Sequence, residues 1–134
     1  MQKQHRILIV DDSREIVAAL KSFFERKYET LTAYDGFNGL QLFEDYESKI
    51  DLVITDLLMP ELDGFGLIAI IKKKYPGVPI IAITGWRGNV EQSDTKLDVD
   101  QVFEKPFKVY ELDKSVSKLL ANRRVQASYH EFAE

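Results

Sequence analysis

Short apolar runs alternate along this chain with longer stretches whose apolar positions recur every three to four residues. RILIV (6–10), ETLTAY (29–34), DLVIT (51–55), VPIIAIT (78–84) and QVFE (101–104) are the short runs. Their length and largely β-branched, apolar character predict strands, and near-continuous runs such as RILIV predict strands covered on both faces. After the first run, Asp12 or Ser13 can cap a helix striped by Ile16, Val17, Leu20, Phe23 and Phe24. Gly36 breaks the chain, and Leu40, Phe43 and Tyr46 line a second helix. Pro60 and Gly64 punctuate a loop, after which Phe65, Ile68 and Ile71 or Lys72 continue as helix up to Tyr75–Pro76–Gly77. A polar, weakly patterned segment from Asn89 to Leu97 predicts a short helix. Val109, Leu112, Val116, Leu119 and Leu120 mark the last one. Five strands alternating with five helices predict an α/β domain, a parallel sheet with helices on both faces.

Composition narrows the class. A chain of 134 residues with 45% hydrophobic and 30% charged content suits one globular domain. The net charge of −4 and the acidic pI near 5.3 argue against general affinity for nucleic acid or anionic membrane. Cysteine is absent, which excludes disulfides, thiolate metal sites and cysteine catalysis. The first apolar run is too short for a signal peptide, and no stretch could span a bilayer, so a cytoplasmic protein is expected. No internal repeat or low-complexity segment is present.

The polar residues become informative once placed on this pattern. In an open parallel sheet, ligands bind outside the C-terminal ends of the strands. The first strand ends in Asp11–Asp12, the third in Asp56, the fourth in Thr84, and the fifth in Lys105–Pro106. Each has an ordinary structural reading: a helix cap, a turn residue, a β-branched strand residue, a solvated lysine. Together they deliver three carboxylates, a hydroxyl and an ammonium to one rim, and a cap needs only one oxygen.

Charge dictates what such a cluster can do. Two carboxylates about 4 Å apart repel by about 4 kcal/mol at an effective dielectric of 20. Either one takes a proton or a cation settles among them. With oxygen ligands only, the cation should be hard, and Mg²⁺ fits. A carboxylate beside that charge can attack a phosphorus centre and form an acyl phosphate, with Lys105 and Thr84 serving the phosphoryl oxygens. Asp56, on the central strand, is the expected nucleophile.

At VDD (10–12), DLLMPELDG (56–64), TG (84–85) and KPF (105–107) the chain resembles the receiver domain of two-component response regulators. The resemblance covers roughly residues 5–121, leaving 122–134 as a C-terminal helix extension or tail. It implies a flavodoxin-like, doubly wound (βα)5 fold with a five-stranded parallel sheet of order 2-1-3-4-5. It implies that Asp56 accepts a phosphoryl group from a histidine on a sensor histidine kinase or a histidine phosphotransfer protein, and that a protein-binding surface then switches toward a downstream protein. Asp12 would be the direct Mg²⁺ ligand, Asp11 a mostly water-mediated one, and the Leu58 backbone carbonyl a further contact. A cis Lys105–Pro106 bond is implied by the resemblance alone.

The chain also departs from the family pattern. Val102 stands where many receivers carry an aromatic, and Phe103 beside it points to the opposite face. Asp98 stands where glycine is common, a position Asp tolerates in a left-handed conformation. Leu58 and Trp86, two residues after Asp56 and Thr84, are bulky and apolar; either they slow hydrolysis of a phosphoryl-aspartate by restricting water, or Trp86 merely lies on the loop surface. His5 and His130 lie away from the cluster, and Arg123–Arg124 reads as a solvated helix end. Three functions stand: a phosphoacceptor switch, an aspartyl-phosphate hydrolase, and a phosphorylation-independent interaction module. The hydrolase would need a second acid where Leu58 stands, so no turnover enzyme is expected. Val102 keeps the interaction module open.

Overall fold

Each apolar run becomes a strand, and each striped segment in the described chain becomes a helix. In the computed structural model the described residues are 5–46, 49–85 and 97–133, with side chains through Arg123. Their order is β1 (Arg6–Val10), α1 (Arg14–Phe24), β2 (Glu29–Ala33), α2 (Gly36–Tyr46), β3 (Leu52–Asp56), α3 (Gly64–Lys74), β4 (Ile80–Thr84), β5 (Gln101–Glu104) and α4 (Val109–Ala133). All strand pairs are parallel, and the sheet order is β2-β1-β3-β4-β5, as the resemblance implied. The helix expected at 89–97 falls outside the described residues except for Leu97, which is in no regular element.

Successive strand residues point to opposite faces, so one sheet makes two cores. On one face Leu8, Val10, Val53, Ile80 and Ala82 meet Phe43 of α2 and Leu67, Ile68 and Ile71 of α3. On the other, Ile7, Ile9, Ile54, Ile81 and Ile83 meet Leu20 and Phe24 of α1 and Leu112, Val116 and Leu120 of α4. Phe23, expected on the buried stripe of α1, is instead 36% exposed. It packs edge-on against Phe24 at the margin of the core.

Side-chain caps set where two helices begin. Ser13 accepts the Ile16 N–H, and Asp63 accepts the Gly66 N–H at 3.0 Å. At the other end of the molecule, Arg123 donates to the carbonyls of Ile50 and Asp51 at 3.2 and 2.7 Å. It is therefore a tether from α4 to the entry of β3, not a solvated helix end. Asp98 is not left-handed either. Among the described non-glycine residues only Glu61 has a positive φ, 64°. No described helix is long and apolar enough to cross a membrane.

Candidate functional site

Because every strand runs the same way, all the C-terminal strand ends open onto one rim. Asp11 follows β1, Asp56 closes β3, Thr84 closes β4 and Lys105 follows β5. Asp11, Asp56 and Thr84 are buried, whereas Asp12 is exposed. One carboxylate oxygen from each of Asp11, Asp12 and Asp56 lies within 4.8 Å of the others. The structure thus brings together all three acids that the sequence pointed to.

Lys105 reaches into this cluster. Its Nζ donates to Asp56 Oδ2 at 3.1 Å and stands 3.0 Å from Asp11 Oδ2. Both contacts are ion pairs, and the ammonium lies between the two carboxylates. The peptide between Lys105 and Pro106 is cis. The Lys105 N–H donates to the Thr84 carbonyl at 2.8 Å, which ties the lysine to the end of β4.

The remaining carboxylate oxygens are held by backbone. Asp11 Oδ1 accepts the Ser13 N–H at 2.8 Å, and Asp56 Oδ1 accepts the Leu58 N–H at 3.3 Å. Burial pushes the Asp11 carboxyl above its ordinary pKa, against the opposing pull of the Ser13 N–H and Lys105. Burial also lowers Lys105, but Asp11 and Asp56 outweigh it and leave the ammonium above its ordinary value. Three carboxylates offering only oxygen ligands within 4.8 Å of one another suit a hard divalent cation.

The flanking positions differ in their settings. The Leu58 side chain is 49% exposed. Val102 is 37% exposed, while Phe103 is turned inward against Phe107, with ring centroids 6.3 Å apart. Trp86 lies outside the described residues. Sequence reading gave Gly64 only the part of loop punctuation. A Cβ there would sit 1.9 Å from the Asp56 carbonyl oxygen, so α3 can start against the acid only with glycine. Thr55, the last residue of the DLVIT run, donates its hydroxyl to that same carbonyl at 3.0 Å.

An acidic, lysine-bridged cluster at the C-terminal rim of a 2-1-3-4-5 parallel sheet defines a flavodoxin-like α/β domain with a candidate cation site. Comparison with known proteins makes this specific. Residues 7–117 match the response regulator receiver domain model. The chain belongs to this family, the receiver domains of two-component systems. A probable transcriptional regulator, ycf27 of Cyanidium caldarium, is 34% identical over 93% of this chain and 49% of its own length. Response regulator SaeR of Staphylococcus epidermidis is 33% identical over 92% of this chain and 53% of its own. The chain therefore spans about half the length of these relatives. A CheY-like receiver protein from Methanospirillum hungatei superposes with a TM-score of 0.82 at 28% identity, over 91% of this chain and 98% of that one. TrrA of Thermotoga maritima, solved in complex with Mg²⁺-BeF, gives 0.77 at 33% identity, over 87% and 99%.

Proposed function

We propose that this chain is a phosphoacceptor: the Asp56 carboxylate takes a phosphoryl group from a phosphohistidine on a sensor histidine kinase or histidine phosphotransfer protein. The observation that carries the reading is Lys105 Nζ lying between Asp11 and Asp56, at 3.0 and 3.1 Å. Attack by an Asp56 oxygen forms an O–P bond, the donor's P–N bond breaks, and its electron pair returns to the imidazole. Lys105 neutralises charge on the phosphoryl oxygens, and the Thr84 hydroxyl donates to one of them. Asp11, Asp12 and Asp56, with the Leu58 backbone carbonyl, would hold Mg²⁺, which would offset the carboxylate charge that repels the incoming phosphoryl group. The all-oxygen donor set supports this, as does the likeness to TrrA, whose structure contains Mg²⁺-BeF.

The site assists its own phosphorylation and is not a turnover enzyme, since Leu58 stands where a hydrolase would carry a second acid. Leu58 and Trp86 slow loss of the phosphoryl group, and Val102 alters how the site couples to the surface. Residues 5–121 form the receiver and 122–134 a C-terminal helix extension or tail, of which 122–133 are the end of α4. The chain works in the cytoplasm and passes its state to a downstream protein. The family match across the whole site region does not favour the phosphorylation-independent module.

Incubation with acetyl phosphate and Mg²⁺ should add one phosphoryl group to the intact mass of the wild type and none to Asp56→Asn. Chelation of the metal should abolish the gain. An equal gain in the variant would overturn the assignment of Asp56.

A further inference from the structure

β3 reads LVITD, and its one hydroxyl is buried among apolar side chains. Thr55 is fully buried, and its Cα partners on the neighbouring strands are Val10 and Ala82, also buried. Valine has nearly the same shape and carries no hydroxyl to desolvate, so threonine is costly there unless its hydroxyl is bonded. The bond it makes is to the next residue's carbonyl: Oγ1 to Asp56 O, 3.0 Å.

That carbonyl belongs to a peptide clamped from several sides. Gly64 leaves no room beyond it, a Cβ there lying 1.9 Å away. On the other side of the same peptide, the Leu57 N–H donates to the Ile83 carbonyl at 3.0 Å. The Leu57 carbonyl accepts the Gly64 N–H at 3.0 Å, and the Leu58 N–H returns to Asp56 Oδ1 at 3.3 Å. Peptide units are planar, so fixing the Asp56 carbonyl also fixes the Leu57 N–H and the direction of the chain toward Leu58.

We infer that Thr55 is a positioning residue for the acceptor site: its hydroxyl locks the Asp56–Leu57 peptide and so orients the Asp56 carboxylate and the Leu58 carbonyl. The inference rests on the phosphoacceptor reading of Asp56. A hydroxyl that merely fills space would affect stability alone, with no effect on cation affinity or reaction rate.

The test compares Thr55→Val and Thr55→Ser in the full chain. Amide shifts of Leu57 and Leu58, a Mg²⁺ titration and the rate of phosphorylation by acetyl phosphate are read together, with urea unfolding as the check on folding. Thr55→Val should shift both amides and lower Mg²⁺ affinity and rate by about three- to tenfold, the scale of one net hydrogen bond. Thr55→Ser, which keeps the hydroxyl, should restore both. Wild-type shifts, affinity and rate in Thr55→Val would overturn the role of Thr55 while leaving the phosphoacceptor reading intact. Absence of phosphorylation in the wild type itself would overturn both.

Discussion

Removing the Lys105 ammonium would leave Asp11 and Asp56 facing one another with no cation between them. Both acids are buried, and Lys105 is itself only 22% exposed. Breaking a wholly buried pair costs about 3–5 kcal/mol. The partly open lysine brings the expected loss in Lys105→Met to about 2 kcal/mol in metal-free urea unfolding, below that range. Added Mg²⁺ stabilises by mass action, about 2.7 kcal/mol at a hundred times its Kd. That gain should be larger in Lys105→Met than in the wild type, because the variant's carboxylates have no competing ammonium. Equal Mg²⁺ stabilisation in the two proteins would show that the lysine and the cation do not share the site. Phosphoryl uptake by the variant should nonetheless fall, since Lys105 serves the phosphoryl oxygens. Leu58 poses a different question, because its side chain is half exposed at the site. Leu58→Asn should hasten loss of phosphate from the phosphorylated protein several-fold, followed as decay of the added mass. An unchanged decay would mean that the apolar side chain does not keep water from the acyl phosphate.

At the level of elements, α4 is held at both ends of its packed stretch. Leu112, Val116 and Leu120 are buried against the sheet, and Arg123 ties the helix to the Ile50 and Asp51 carbonyls. Arg123→Ala should destabilise the fold by about 1–2 kcal/mol, the scale of a charged donor lost from backbone acceptors. Thermal or urea unfolding reads this directly, and an effect within experimental scatter would contradict the tether. The elements themselves were legible because apolar runs and helical stripes record burial on two faces. Their ends were less so. The run VPIIAIT begins at Val78, yet β4 starts at Ile80. Pro79 has no N–H to give the ladder and contributes only its carbonyl, which accepts the Val53 N–H. The Arg123 tether was not legible, since its acceptors lie more than seventy residues away in the chain. The acids, Thr84 and Lys105 were readable as a set because parallel strands bring their C-terminal ends to one rim. Gly64 and Thr55 were not. The part of Gly64 depends on an approach of α3 to the Asp56 carbonyl that no local pattern encodes, and that of Thr55 on which way one hydroxyl turns inside a buried strand.

Across the whole molecule, one sheet separates two packed cores and leaves the charged cluster at one end. The opposite end carries a structural network: Arg6 pairs with Glu29 at 2.7 Å and stacks over Tyr46, and its backbone N–H donates to Asp51. The receiver match over residues 7–117 spans both ends, so the family's architecture and the charged rim belong to the same unit. Everything proposed for signalling then depends on one covalent event at one carboxylate. Treatment of the phosphorylated protein with borohydride reduces an aspartyl phosphate to homoserine and leaves a free carboxylate untouched. Peptide mass mapping should find that conversion at Asp56, dependent on Mg²⁺ and on the phosphoryl donor. Conversion at Asp11, at Asp12 or at any other acid, with Asp56 unmodified, would contradict the account.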